Sequence, residues 1–321
     1  MIKNQWYVIL ESKEVKKRPI GVTRFGEKIV LWRDEKGVLN CIADKCIHRG
    51  ASLCKGHVVN GNIECPFHAF QYDGNGKCTL IPANGKSSPV PPHFIANHYK
   101  IKEEHGFIWA FYGDSNKALA ELPFFDDIDD SFTYSTIIDR WHVDYSRVIE
   151  NQLDVVHVPF VHKTTIGKGN KTLVNGPLTI VENNTITINT FNDLDLGDPP
   201  KRIEELKHLQ RKQKLVFKFP NIWQNYISDN IRVLIAFVPI DDNNTKLYLR
   251  FYQNITRLPI FRHMFNLTGS IANYIIESQD KKIVNTQLPQ KSSLTIGEKL
   301  IPGDLPIIEY RKIRDKLQKQ Q

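Results

Sequence analysis

The stretch between Cys46 and His68 constrains this chain more than any other, because it reads CIHRGASLCKGHVVNGNIECPFH. Cys46 and His48 form a Cys-x-His pair, and Cys65 and His68 form a Cys-x-x-His pair. Close spacing lets each pair project two side chains from one tight turn, and the glycines and the proline in this stretch suit such turns. Two thiolates and two imidazoles are enough ligands to close a metal site.

Two kinds of metal group accept these four ligands. A structural zinc ion binds two cysteines and two histidines, although the usual zinc finger pairs like with like. Mixed pairs suit a [2Fe–2S] cluster, in which two cysteines hold one iron and two histidines hold the other. The pattern CxHRG…CPxH resembles the Rieske family. This resemblance implies that a [2Fe–2S] cluster is bound by Cys46, His48, Cys65 and His68, with structural zinc as the alternative.

The chain departs from the common Rieske pattern directly after the last of these ligands. Ala69 and Phe70 stand where the family often has Gly-Trp. Neither residue is a ligand in the pattern. We therefore expect the departure not to touch the ligands and to leave cluster binding intact.

Length and composition place the chain among globular proteins. Its 321 residues suit two modest domains or one large one, and a hydrophobic content of 41% supports a packed core. Cys41, Cys54 and Cys78 remain outside the cluster pattern, and this odd remainder without a secretory leader argues for a reducing compartment and against disulfides. No run of about twenty apolar residues is present, so we expect a soluble, cytoplasmic protein that does not span a membrane.

The formal net charge of +8 leaves the type of partner open. Lysines are spread through the chain and no nucleic-acid motif is present, so we expect no nucleic-acid partner. A basic surface can dock an acidic electron donor, or it can simply keep the protein soluble, and both interpretations stay open.

Strand patterns fill the first third of the chain. They lie at residues 6–8, 28–32, 38–42 and 106–112, with hairpin turns at 34–37 and 73–76. We predict a small all-β domain over residues 1–115 that carries the cluster. The aspartate-rich segment 114–130 is interpreted as a solvated linker into a second domain, residues 116–321.

A second pattern begins at residue 141 and reads WHVDYSRVIENQLDVVHVPFVHK. Its apolar spacing predicts a helix that places Asn151, Asp154 and His157 along one flank. Because Pro159 disfavours a helical residue before it, we expect the helix to end close to His157. A bend at that point would let His162 meet His157 at one metal, whereas residues five apart on an unbroken helix point well away from each other.

A His-x4-His pair alone is a weak signal. Preceded by Asn-x-x-Asp and placed downstream of a Rieske-like pattern, it resembles the NxxDxxHxxxxH motif of Rieske non-haem iron oxygenases, the aromatic-ring-hydroxylating α-subunit-like family. This resemblance spans most of the chain. It implies a mononuclear Fe(II) bound by His157, His162 and one carboxylate, with open positions for O2.

The resemblance also implies where the carboxylate lies. Family members carry it on a late helix, and apolar residues at helical spacing predict a helix within residues 258–290. We assign the role to Asp280, with Glu277 one turn earlier as the competitor. The alternative is that either residue is only an exposed helix charge.

Family resemblance further implies a homotrimer whose subunits pack head to tail. An aspartate then bridges an iron histidine of one subunit to a cluster histidine of the next. By position that catalytic residue is Asp154, between His157 and His68 of the partner subunit. Asp154 can equally be a local orienter of His157, and Asn151 can be a further supporting group.

The second domain is predicted to be a large antiparallel sheet with flanking helices, so the fold class of the whole chain is α+β. Strand patterns lie at 185–191, 232–238 and 246–252, with a turn at 241–245 between the last two. Residues 201–214 are interpreted as a surface helix rather than a lid over a pocket. The loop 163–171 either gates the substrate or is simply solvated.

The resulting hypothesis is an oxygenase that hydroxylates, dihydroxylates or oxidatively demethylates a small organic substrate, aromatic or cyclic. Electrons would come from an external ferredoxin or flavin reductase, because no such segment is fused to the chain. The alternatives are a Rieske electron-transfer protein and a zinc-stapled binding module. Aromatic side chains of the sheet can line the substrate pocket or belong to the core, namely Phe217, Phe219, Trp223, Tyr226 and Phe237.

Overall fold

A computed structural model describes residues 1–114, 121–167, 169–209, 212–256 and 258–320 of the chain. It divides into two compact units. One contains Met1, Lys3–Glu121 and Pro239–Asp241, and the other contains Ile2, Leu122–Val238 and Asp242–Gln321. The domain boundary predicted between residues 115 and 116 lies outside the described residues.

The first unit is built from antiparallel strands. They are β1 (Gln5–Glu11), β2 (Ile20–Arg24), β3 (Glu27–Arg33), β4 (Leu39–Ala43), β5 (His57–Val59), β6 (Asn62–Glu64), β7 (Gln71–Tyr72), β8 (Cys78–Leu80), β9 (Ile101–Glu104) and β10 (Phe107–Tyr112). Three sheets result, with strand orders β1-β10-β9, β2-β3-β4 and β5-β6-β7-β8. The predicted strands of this region are confirmed as β1, β3, β4 and β10.

Two hairpins in this unit are closed by the same chemistry. The carboxylate of Asp34 accepts hydrogen bonds from the backbone N–H groups of Lys36 and Val38 at 2.9 and 2.8 Å. The carboxylate of Asp73 does the same two and four residues further on, at 2.9 Å each. An aspartate that bonds its own following backbone stabilises a tight turn, which is why both predicted turns are confirmed.

The second unit is one seven-stranded sheet with helices. Its strands are β11 (Thr133–Trp141), β12 (Thr172–Glu182), β13 (Thr185–Leu194), β14 (Lys214–Lys218), β15 (Ile222–Ser228), β16 (Ile231–Asp241) and β17 (Asn244–Gln253). The sheet order is β11-β17-β16-β15-β14-β13-β12. The helices are α1 (Tyr145–Leu153), α2 (Val158–Val161), α3 (Ile203–Leu206), α4 (Pro259–Val284) and α5 (Leu305–Lys319). The predicted α+β class is confirmed.

Helix α4 approaches the sheet closely along β11 and β17. A Cβ added at Gly269 would lie 2.5 Å from a ring carbon of Phe251 in β17, so only glycine permits this approach. Ser135 in β11 donates a hydrogen bond to the carbonyl of Asn266, and its hydroxyl lies 2.5 Å from that of Ser270. These contacts hold the first half of α4 against the sheet.

The buried face of α4 is polar, and that reverses part of the sequence prediction. The helix itself is confirmed, but Ile271, Ile275 and Ile283 of its apolar pattern are exposed. The fully buried positions are instead Asn266, Ser270, Glu277, Asp280 and Val284. The face that reaches the interior therefore carries groups that serve a site rather than a core.

Other sequence predictions for this unit are corrected in detail. Among the described positions of residues 201–214, the only helix is the single turn α3, and β14 begins at Lys214; residues 210–211 lie outside the described positions. The turn between β16 and β17 is the two residues 242–243, shorter than predicted. Strands β11 and β12 and helix α5 were not predicted.

Within the described residues, none of the helices combines the length and the apolar character needed to cross a bilayer.

Candidate metal centres

The two Cys/His loops of the first unit have the same backbone. In the first loop Cys46 donates to the carbonyl of Ala51, and its own carbonyl accepts from Gly50, both at 2.8 Å. In the second loop Cys65 makes the equivalent bonds to the residues five and four positions later, at 2.8 and 3.0 Å. Each loop thus forms the same tight turn around its cysteine, and the histidine follows two residues later in the first loop and three residues later in the second.

The candidate ligands in these loops differ in solvent exposure. The thiols of Cys46 and Cys65 are buried, whereas the His48 ring is exposed and the His68 ring half-buried. The two imidazole centroids lie 4.6 Å apart. The Cys46 Sγ atom lies 3.1 Å from the Tyr72 hydroxyl. Burial raises the pKa of the Cys65 thiol, with Cys46 adding to the effect, so a bound metal ion would be needed to hold the buried thiolates.

The residues after His68 touch the ligands, which corrects the expectation that they would not. The Phe70 ring is stacked on the His48 ring of the other loop, with centroids 4.8 Å apart and an interplanar angle of 2°. Ala69 adopts φ +56°, and Gly50 at the equivalent place in the first loop has φ +75°. An alanine in this left-handed region is strained relative to glycine.

This arrangement fits a two-iron cluster. Two buried thiols and two outer imidazoles on matched loops correspond to the ligand set of a [2Fe–2S] group held by cysteines on one iron and histidines on the other. All five cysteines of the chain are free thiols, which is consistent with the prediction that disulfides are absent.

In the second unit, α1 ends earlier than predicted. Its last residue is Leu153, and Asp154 follows in an extended conformation. One carboxylate oxygen of Asp154 accepts from the backbone N–H groups of Val156 and His157, at 2.8 and 3.1 Å. The sharp turn is therefore made by Asp154 rather than by the proline.

Pro159 lies inside the first turn of α2, and the expectation that it would keep Val158 out of a helix is wrong. Proline is tolerated there because its missing N–H has no partner in the first turn. Since α2 starts directly after His157, that histidine and His162 occupy the two ends of one short helical turn. The predicted convergence of the two rings is found by this different route.

Three side chains meet at this point. The Nε2 atoms of His157 and His162 lie 3.3 Å apart, and the Oδ1 atom of Asp280 lies 3.3 and 3.1 Å from them. Asp280 Oδ1 is buried and has no hydrogen-bond donor among the described residues. Neighbouring ligands on a metal with bonds of about 2.1 Å are about 3 Å apart, so these three atoms fit one metal ion.

Neighbouring groups orient both histidines. The Nδ1–H of His162 donates to the side-chain carbonyl of Gln279 at 2.8 Å, which leaves Nε2 free to bind a metal. His157 Nδ1 lies 3.7 Å from the Asp154 carboxylate. Burial opposes charge on His157, but Asp154 and Asp280 outweigh it and raise the pKa of His157 to about 9. Gln279 was not predicted, because an amide in a helix carries no spacing signal.

Glu277 does not join this group of three, although it is buried one turn earlier on α4. Burial, with the charges of Asp139 and Asp280, raises the pKa of Glu277 to about 8. Its two oxygens are buried without hydrogen-bond partners among the described residues. Lys281 is paired instead with Asp139 in β11, at 2.8 Å.

A cavity of about 360 Å³ adjoins the three side chains. Aliphatic side chains, most of them from β14 to β17 and α4, are the largest group in its wall, and Glu277 and Asp280 also line it. Of the five aromatic residues predicted as pocket candidates, only Trp223 lines this cavity. Phe217 and Phe219 pack against Tyr310 of α5 instead, and that helix was not predicted.

A buried ionic network, also unpredicted, fixes α1 against α5. Arg311 in α5 contacts Glu150 in α1 at 2.7 Å and Glu298 at 2.7 Å. Arg147 contacts the same two glutamates at 3.0 and 2.8 Å. The pKa of Glu298 is held below its usual range by Arg311 and Arg147, against the effect of burial. The network holds in place the helix that leads into Asp154.

Each half of the chain matches a known protein family. Residues 5–99 match the Rieske [2Fe-2S] domain, and residues 141–320 match the vanillate O-demethylase oxygenase C-terminal domain. The chain belongs to the Rieske non-haem iron oxygenases. Membership in this family implies a Rieske [2Fe–2S] cluster and a mononuclear iron as its cofactors.

Individual relatives are similar over different lengths. Protein TIC 55 of Arabidopsis thaliana is 33% identical over 165 residues, 50% of this chain and 30% of that protein. The vanillate O-demethylase oxygenase subunit of a Pseudomonas species is 30% identical over 200 residues, 61% of this chain and 55% of the relative. Several of the curated relatives are thus matched over only a quarter to a half of their length.

A solved structure has the same fold over nearly all of this chain. That of NdmA from Pseudomonas putida CBB5 superposes with a TM-score of 0.78 at 22% identity, covering 98% of this chain and 90% of that one. By sequence, the methylxanthine N1-demethylase NdmA of Pseudomonas putida is 24% identical over 330 residues, 97% of this chain and 88% of the relative.

Proposed function

We propose that the protein is an oxygenase that uses O2 and external electrons to oxidise a small organic substrate. The observation that carries this proposal is the convergence of His157, His162 and Asp280 beside a largely apolar cavity. Two imidazoles and one carboxylate leave several positions of a metal open, which is the arrangement of iron sites that activate O2. A cavity of about 360 Å³ is large enough for a small ring compound.

The roles of the individual residues are part of the proposal. Cys46, His48, Cys65 and His68 hold the cluster, and His157, His162 and Asp280 hold the iron. When bound, these groups supply electron storage and O2 activation. Gln279 keeps Nε2 of His162 directed at the iron, and the aliphatic cavity wall excludes water from the reacting end of the substrate.

Asp154 is proposed to connect the two metal centres across subunits of a homotrimer. Its carboxylate lies beside Nδ1 of His157 and remains partly exposed, with 28% of the side chain accessible. It can therefore orient His157 and still reach His68 of the partner subunit. The exposed His48 edge and the half-buried His68 of the cluster loops support an approach from outside.

The substrate class is proposed from chemistry and relatives together. Demethylation is favoured over ring dihydroxylation, since relatives over much of the chain are named as O- and N-demethylases. Electrons are proposed to come from a separate ferredoxin or flavin reductase, and the location is proposed to be cytoplasmic.

A substrate screen tests the proposal. The purified protein would be combined with a generic ferredoxin, its reductase and a panel of small methylated ring compounds. We expect substrate-dependent O2 uptake and a product that has gained oxygen or lost a methyl group. O2 uptake that never depends on a substrate, with a cluster that still reduces and reoxidises, would instead favour the electron-transfer alternative.

A further inference from the structure

The cavity beside the metal triad contains polar groups that no contact in the protein accounts for. Both oxygens of Glu277, Nε1 of Trp223 and Nδ2 of Asn273 are buried and lack hydrogen-bond partners among the described residues. Glu277 is only 4% exposed and Trp223 only 6%. All three side chains line the same cavity. Buried polar groups normally have partners, so these four atoms are available to a ligand.

Their placement gives the ligand an orientation. Asn273 and Glu277 are one turn apart on α4 and share a face, and Asp280 follows another turn later on the same side. Trp223 belongs to β15 of the sheet. A substrate whose reactive end is at the triad would therefore meet Glu277 next and Asn273 beyond it.

The charge of the lining is one-sided. Its ionisable groups other than the two histidines are the carboxyls of Asp154, Glu277 and Asp280, and no lysine or arginine is found among the described residues that line it. A metal ion at the triad would compensate Asp280 but not Glu277. Burying a carboxylate or sulfonate without a paired cation is costly. Burial raises the pKa of Glu277 to about 8, so a cationic donor placed against it favours the ionised carboxylate and gains a charge-assisted hydrogen bond.

We propose that Glu277 selects the substrate, accepting a hydrogen bond from an N–H or protonated nitrogen close to the reacting position, so that the cavity takes neutral or cationic nitrogen compounds and rejects carboxylates and sulfonates. Trp223 and Asn273 donate to an acceptor on the same substrate. Resting on the proposed oxygenase function, this inference narrows the substrate class and gives Glu277 a role separate from iron binding.

Three probes of nearly equal shape test the selection directly. Benzamidine is cationic, benzamide is neutral and benzoate is anionic, and the affinity of the purified, metal-loaded protein for each is measured by titration calorimetry. Benzamidine should bind at least about tenfold more tightly than benzoate. Benzoate that binds as tightly as benzamidine, or benzamidine that does not bind, would overturn the proposal without any variant.

The variant Glu277→Gln keeps the shape of the side chain and removes the carboxyl group that can ionise against a cationic ligand. It should reduce the ratio of benzamidine to benzoate affinity at least about tenfold, while benzamide changes less than about threefold. Glu309→Gln, on helix α5, should leave the ratio unchanged. An unchanged ratio in a folded, iron-containing Glu277→Gln protein would contradict the assigned role.

The same experiment separates this inference from the function on which it rests. Binding is measured without a reductase, so the affinity order can be confirmed even if no O2 uptake is ever found. Conversely, substrate-dependent O2 uptake with a carboxylate as the best substrate would support the oxygenase and overturn the selection by Glu277.

Discussion

The two candidate metal centres take their residues from the chain in different ways. The cluster loops take all their ligands from residues 46–68, and backbone hydrogen bonds within each loop form the turn. The triad takes two histidines from the short turn around α2 and its carboxylate from α4, which the sheet holds in place. The first centre depends on local sequence, and the second depends on the packing of the whole second unit.

That difference decides which substitutions act locally and which act at a distance. In the loops, thiols are buried, histidines are accessible and each residue touches its neighbours. In the triad, one long helix supplies both a candidate ligand, Asp280, and Gln279, which is the hydrogen-bond partner of the candidate ligand His162. Changes in α4 should therefore affect the iron and leave the cluster intact.

The largest expected effect is at Asp280. Replacing Asp280 with Ala should strip the mononuclear iron and lower substrate oxidation by more than about 100-fold, because a metal ligand matters more than the groups that support it. The visible absorption of the cluster should remain. Iron analysis beside absorption spectroscopy measures both centres in one sample.

Glu277→Gln is the matched control for that variant, since Glu277 is equally buried on the same helix. It should retain the mononuclear iron. Loss of iron from Glu277→Gln, with normal iron in Asp280→Ala, would transfer the ligand role to Glu277.

A smaller effect is expected at Asp154, which the proposal places between the two centres. Asp154→Asn should leave both metals bound but slow turnover by about 10- to 100-fold. Rapid mixing that follows cluster reoxidation would locate the slow step. Normal reoxidation in this variant would leave Asp154 with only its turn-forming role.

Tyr72→Phe should change the reduction potential of the cluster and leave the triad unaffected. The Tyr72 hydroxyl is 3.1 Å from Cys46 Sγ, and hydrogen bonds to cluster sulfur atoms favour the reduced, more negative state. Removing the hydroxyl should lower the reduction potential, measured by redox titration. Tyr99→Phe in the same unit, whose hydroxyl contacts Glu27, should leave the potential unchanged.

The smallest effect is expected at Ala69. Glycine adopts a positive φ without strain, so Ala69→Gly should raise the free energy of unfolding by about 1–2 kcal/mol. The greater flexibility of glycine in the unfolded chain offsets about 0.5–1 kcal/mol of that gain. Thermal unfolding should show a modest net stabilisation. Ala43→Gly in β4, where the backbone is not left-handed, should destabilise the protein, and a drop in stability for both variants would show that Ala69 is not strained.

The same difference explains what could be predicted from the sequence. The four candidate cluster ligands share one stretch, so their spacing could be recognised in the sequence and their assignment to a cluster followed from family resemblance. His157 and His162 were also found, although the helix boundary was misplaced because Asp154 makes the turn that Pro159 was expected to force. Asp280 was reached only through family resemblance, since its partners lie far away in the chain.

Helix α4 shows why the remainder could not be predicted. Its period was evident, but a period does not say which face is buried. Here the interior face carries Asn266, Ser270, Glu277 and Asp280, and most of the isoleucines that a core would usually bury are exposed. Gln279 and the network of Arg147, Glu150, Glu298 and Arg311 depend on partners that only the folded chain brings together.

Metal analysis of the purified, anaerobically handled protein tests the account most directly. Iron, acid-labile sulfide and zinc would be determined on one sample. Two separate centres predict about three irons and about two sulfides per chain, with little zinc. A protein that contains zinc instead, or iron without sulfide, would contradict the account.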